Sequence, residues 1–190
     1  AWGYNRARNF DPIGRRLQVQ NKCNTISAVG SSSDEEINMK QKRPYPKVKI
    51  SRKAERSVKS GHPWIYGEEI LDQEGVPQNG ELVDVLAGTA YLGTGFYNSN
   101  SKIAVRLVSR NANDVFDARF WRRRIEYAVR YRKTVMPGAD FTCCRLVHSE
   151  ADDLPGLTVD RYGTVLSVQI TCLGMELVKD TVYRALLDVL

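Results

Sequence analysis

From Lys47 to Val108 the apolar residues recur at every second position in short runs separated by turn formers, a texture that admits a small sheet or barrel. Val48 and Ile50 alternate with Lys49 and Ser51, and Ser60-Gly61-His62-Pro63 marks a turn before Trp64-Ile65-Tyr66. Asn79-Gly80, a strong turn signal, leads into a strand over Glu81 to Leu86. Strands over Tyr91 to Tyr97 and Ile103 to Val108 follow, the second alternating through Ile103, Val105 and Leu107.

The period then changes. Asp114 is placed to cap a helix running from Val115 to Val135, whose apolar arc collects Phe116, Phe120, Trp121, Ile125, Ala128, Val129 and Val135. The opposite arc carries Arg119, Arg122, Arg123, Arg130 and Lys133 against Glu126. Beyond Met136-Pro137-Gly138 a second unit opens, with a strand near Arg145 to His148, an acidic loop, and a hairpin of Leu157 to Arg161 with Val165 to Ile170. Met175, Val178, Val182 and Leu186 then recur at helical spacing to the end. The expected fold class is α+β: a small, mostly β barrel, a linking basic helix and an incomplete α/β unit.

Charge is unevenly placed: the net value is +6 overall, with seven bases against two acids over residues 117–134 and four bases against eight acids over 135–190. A basic half and an acidic end suit a polyanionic partner for one part of the molecule only. Residues 1–46 show no sustained period and read as an extension. Arg6, Arg8, Arg15 and Arg16 before a Ser-containing stretch resemble an organellar transit peptide, so an organelle, the chloroplast foremost, is the expected location, with the cytoplasm as the alternative. Cys23, Cys143, Cys144 and Cys172 form no C-x-x-C pair, so packed, reduced thiols are expected rather than zinc. No apolar run is long enough to span a bilayer, and no membrane partner is expected.

Two basic groups could grip phosphate. The first, Lys47, Lys49, Arg52, Lys53, Arg56 and Lys59, precedes Trp64 and Tyr66; the second is the arginine arc of the helix. The RNA-binding candidates are Lys49, Arg52, Lys53, Arg56, Lys59, Arg119, Arg122, Arg123 and Arg130, and the plainer reading of the helix arc is a solvated face on an interdomain helix. Trp64 reads first as a core anchor. Gly93-Thr94-Gly95-Phe96-Tyr97-Asn98 fails the dinucleotide pattern at its last position and lies among strands, where close backbone approach is expected instead. Glu150, Asp152, Asp153 and Asp160 read as turn-capping, loop-solvating carboxylates rather than a metal or acid–base site. His62 and His148 lack ligand spacing, and no residue is assigned as catalytic, cofactor-binding or metal-binding.

Arg52, Arg56 and Gly61-His62-Pro63-Trp64-Ile65-Tyr66, then Gly80-Glu81-Leu82-Val83-Asp84-Val85, Leu92 to Asn98 and Ser101 to Arg106 resemble the N-terminal PUA domain of the S-adenosylmethionine-dependent 23S ribosomal RNA cytosine-5 methyltransferases. Arg145 to Gly163, with Glu150, Leu154-Pro155-Gly156 and Val159-Asp160-Arg161, resembles the family's central domain. The resemblance implies structured RNA, large-subunit ribosomal RNA above all, as partner, S-adenosylmethionine as cofactor of the intact protein, and a homodimer. It divides the chain into an extension (1–46), a PUA-like RNA-binding domain (47–113), a basic linking helix (114–138) and a central α/β domain (139–190). No Gly-rich cofactor loop, Asn/Asp-Pro-Pro motif or matching catalytic Cys is found, so the Rossmann-like catalytic domain is expected beyond Leu190 and no cofactor is expected on this chain. The rivals are a non-catalytic RNA-binding adaptor and a protein-interaction module drawn from the acidic end.

Overall fold

The computed structural model describes residues 43–138 and 140–190; the extension up to residue 42, with Cys23 and its arginines up to Arg16, lies outside them, while Arg43 bonds to Asp84 on the six-stranded sheet at 2.8 Å. Six strands, β1 (Lys47–Ile50), β2 (Trp64–Tyr66), β3 (Ile70–Glu74), β4 (Leu82–Ala87), β5 (Ala90–Tyr97) and β6 (Ile103–Ser109), form one curled sheet in the order β2-β6-β5-β4-β1-β3. The pairings are antiparallel except β1 with β4, which is parallel and brings the first strand back beside the middle of the sheet. A helix, α1 (Arg52–Lys59), crosses between β1 and β2. A longer helix, α2 (Ala118–Val135), leads to a second antiparallel sheet of β7 (Cys143–His148), β8 (Leu157–Tyr162) and β9 (Val165–Ile170), followed by α3 (Leu173–Leu177) and α4 (Lys179–Val189). The expected α+β class is what forms.

Period-two patterning places alternate residues of β5 and β6 on opposite faces, and here both faces are covered. Tyr97, Val105 and Leu107 join Val48, Ile50, Val83, Val85 and the α1 residues Ala54 and Val58 in one core. Phe96 and Val108 turn the other way, into a second core with Phe120, Trp121 and Ile125 of α2 and Leu146, Val159 and Leu186. Phe96 lies parallel to the Trp121 ring, 6.0 Å between centroids, and Phe120 meets Trp121 edge-on at 5.0 Å. The backbone of α3 lies against Phe96: a Cβ on Gly174 would come within 2.1 Å of that ring, so only glycine fits. The same holds for Gly95, whose added Cβ would lie 2.4 Å from the Arg106 carbonyl oxygen; close approach within the sheet, as expected for Gly93 and Gly95, is the reason for both.

Several local expectations are corrected. Residues 52–59, read as part of a strand-and-turn region, form a helix. Its two buried residues, Ala54 and Val58, are an i,i+4 pair too sparse to register as a period, while Ser51 caps it by accepting the Ala54 N–H. Strand β3 escapes the alternation pattern because its burial is almost all at Ile70. Helix α2 starts three residues later than expected, capped by Asp117, which accepts the Phe120 N–H at 2.9 Å, and not by Asp114. Val135, at the last turn, is half exposed rather than on the apolar seam. The final helical run breaks at Val178 into α3 and α4.

Candidate nucleic-acid interface

Helix α1 buries Ala54 and Val58 and so turns Arg52, Lys53, Arg56 and Lys59 outward, all four exposed. Lys59 reaches back one turn to Glu55 at 2.6 Å, an exposed i,i+4 pair of small energetic weight. Among the described residues, Arg52, Lys53 and Arg56 have no carboxylate partner. Lys49 does not join them. It stands on β1, bonded to Asp72 at 3.0 Å and Glu74 at 2.8 Å across the β1–β3 pairing. Hydrogen bonds from Lys49 and then Lys47 hold the Glu74 carboxyl down at about 2. Lys47 and Lys49 therefore zip a sheet edge.

On α2, Arg119, Arg122, Arg123 and Arg130 all point outward, as the helical arc requires. Three are engaged locally: Arg119 with Asp117, Arg122 with Glu126 at 3.0 Å, and Arg123 with Asp114 at 2.8 Å. Arg130 lies 5.8 Å from the centre of the exposed Tyr127 ring. The two predicted basic groups are not brought together, because α1 packs in the core on one face of the six-stranded sheet and α2 in the core on the other.

The acidic loop explains the remaining α2 arginines, to which the sequence pattern alone gives no role. Arg132 grips Asp152 with both terminal nitrogens, Nη2 at 2.7 Å from Oδ2, and both side chains are nearly enclosed. Arg124 pairs with Asp153 at 2.9 Å, donates to the Val108 carbonyl, and covers the Phe120 ring. Glu150 accepts from Arg106 Nη1 at 2.8 Å and from the Trp64 indole N–H at 2.9 Å, tying β2 and β6 to the loop. Burial opposes its ionisation, but bonds from Ser149 and Trp64 and the charge of Arg106 bring its carboxyl below the usual range. Asp160 binds Arg145 at 2.7 Å. The cluster thus clamps elements together rather than merely solvating a loop.

Trp64 is correspondingly half-buried, a bridging residue with Arg106 over its ring at 5.5 Å, rather than a core anchor. His62 packs against Trp64 and Tyr66, and His148 Nδ1 lies 3.2 Å from Arg145. Cys143 is exposed, contrary to the packed thiol expected; Cys144 and Cys172 are half-buried, and burial pushes the Cys172 thiol up.

The PUA-like domain model matches residues 48–110. The chain is 36% identical over 142 residues to the ribosomal RNA large subunit methyltransferase I of Shewanella denitrificans, covering 74% of this chain and 36% of that protein. It is 29% identical over 143 residues to the protein of the same name from Klebsiella pneumoniae, covering 75% of this chain and 36% of the relative. This chain carries a PUA-like domain and is similar over about three quarters of its length to ribosomal RNA large subunit methyltransferase I. It spans about a third of the length of the curated relatives it matches. A solved Streptococcus mutans structure assigned to the SAM-dependent methyltransferases superposes with a TM-score of 0.63 at 18% identity, covering 75% of this chain and 37% of that one, which establishes a shared fold.

These relatives overturn the chloroplast expectation: they come from bacteria, and an arginine- and serine-containing stretch is too common a composition to name an organelle. The glycines that come nearest to a nucleotide-binding pattern leave no room for a phosphate against their backbone. Here Gly93 and Gly95 are closed by β6 backbone and Gly174 by Phe96.

Proposed function

We propose that this chain docks structured RNA, large-subunit ribosomal RNA in particular, for a methyltransferase that uses S-adenosylmethionine to methylate cytosine at C5. The observation that carries the reading is the sequence likeness to large subunit methyltransferase I, which spans 142 residues and so extends well beyond the 48–110 match. On this reading residues 47–113 are the RNA-binding domain, 114–138 link it to a central domain at 139–190, and residues 1–46 are an extension. Arg52, Lys53, Arg56 and Lys59 of α1 contact phosphate first, since three of them have no competing carboxylate among the described residues. Arg119, Arg122, Arg123 and Arg130 form a second contact, the exposed pairs of Arg119 and Arg122 exchanging for phosphate at little cost. Lys49, held by Asp72 and Glu74, contributes least. Methyl transfer is assigned to the part of the relatives' length that this chain does not span.

Two measurements test this. The chain is titrated with a folded large-subunit ribosomal RNA fragment at low salt; binding that weakens steeply as salt rises is expected, and no binding would refute the docking role. A protein extended to the relatives' length is incubated with ribosomal RNA and methyl-labelled S-adenosylmethionine. Label at C5 of cytosine is expected, and label at another atom would refute the cytosine-5 assignment.

A further inference from the structure

Helix α2 carries an exposed stripe in which charge alternates with aromatic rings. Tyr127, Arg130 and Tyr131 follow Arg123 at four, seven and eight residues, and so share one face with it. Tyr127 is 51% and Tyr131 59% exposed, large rings left in solvent beside a well-packed core. Tyr127 forms a wall of an open cavity of about 490 Å³ between α2 and the turn that follows β6, lined also by Arg110, Asn111, Arg123 and Arg124. Arg110 is held at the mouth, its Nη2 donating to the carbonyls of Gly61 at 3.0 Å and His62 at 3.3 Å. The two acids in the wall, Asp114 and Asp153, are neutralised by Arg123 and Arg124.

Resting on the RNA-docking reading, we propose that this cleft receives one unpaired nucleotide of the bound RNA, its base stacked on Tyr127 and its phosphate held by Arg110 and Arg123. The volume admits a single nucleotide, and the ring offers a sequence-tolerant face. Arg130 near the ring and Arg110 across the cleft supply the cations that a splayed-out nucleotide needs and a paired one cannot reach. Arg123 holds Asp114 through Nη2 alone at 2.8 Å, so its other nitrogens, on a half-exposed side chain, can meet phosphate while Asp114 stays neutralised.

The test compares two RNA hairpins that differ by a single-nucleotide bulge carrying 2-aminopurine. The wild-type chain is expected to favour the bulged hairpin by roughly tenfold and to quench its fluorescence. Tyr127→Ala should bring the preference close to one and abolish the quench, while Tyr127→Phe keeps both. Arg52→Ala with Arg56→Ala should weaken both hairpins equally and leave the preference intact. RNA binding with a bulge preference unaffected by Tyr127→Ala overturns this inference alone. No binding of either hairpin overturns the docking reading with it. A change in self-association on Tyr127→Ala, with RNA binding untouched, assigns the ring to a protein contact and also overturns the inference.

Discussion

Helix α1 and helix α2 are both strongly basic, and the difference lies in where their charges end. On α1 three of the four outward bases meet no carboxylate among the described residues. On α2 five of seven bases do, and two of those, Arg124 and Arg132, are turned toward the acidic loop that joins β7 to β8. Positive charge in a sequence is therefore not one quantity: a charge whose partner lies 20 residues on, as Asp152 does from Arg132, is a packing device, and only charges left unmatched or held in exposed local pairs are available to a polyanion.

The largest effect should come from breaking that packing device. Arg132→Ala leaves the enclosed Asp152 without its bidentate partner and should lower stability by about 3–5 kcal/mol in urea unfolding, whereas Arg52→Ala on α1 should change it by no more than about 0.5 kcal/mol. Equal losses would erase the distinction between the helices. Gly95→Ala, which forces a Cβ onto the Arg106 carbonyl in the sheet between them, should cost about 1–3 kcal/mol.

A smaller effect separates the clamp by pH. Glu150 is depressed below its ordinary value in the folded protein, so its contribution is present above the unfolded value, about 4.3, and is lost as pH falls through the lower folded one. Trp64, whose indole bonds to Glu150, should report this as a fluorescence change confined to that acid window. Glu150→Gln should remove the transition; its persistence would place the titrating group elsewhere. Glu74, held near 2 by Lys49 and Lys47, should titrate well below the ordinary carboxylate range by NMR, and Lys49→Ala should raise it toward normal.

Much of this architecture was legible in short apolar runs between turn formers: β8 and β9 alternate in burial, while β4, β5 and β6, covered on both faces, stand out by their β-branched and aromatic content, and all five lie where the pattern puts them. The apolar arc of α2 was equally clear from Phe120 to Val129. Helix α1 was not, because eight residues with two small buried side chains carry little period, and its stability comes from the Ser51 cap and the core it joins. At the interface, Arg52, Lys53, Arg56 and Lys59 could be picked out by composition. The separate fates of Arg123, Arg124 and Arg132 could not, since neighbouring arginines of one helix diverge only once the loop from Ser149 to Gly156 is in position. Tyr127 and Tyr131 are hidden for a related reason. Aromatics on a basic helix suggest core until their exposure is known.

The role of α1 as the RNA-facing charge is tested most directly by the salt dependence of binding. With a folded ribosomal RNA fragment, log affinity against log salt should be linear for the intact chain. Arg52→Ala, Lys53→Ala and Arg56→Ala together should make the slope shallower by about 2–3, because each substitution removes one cation that would neutralise a phosphate. An unchanged slope in a variant that is folded and equally stable would contradict that role.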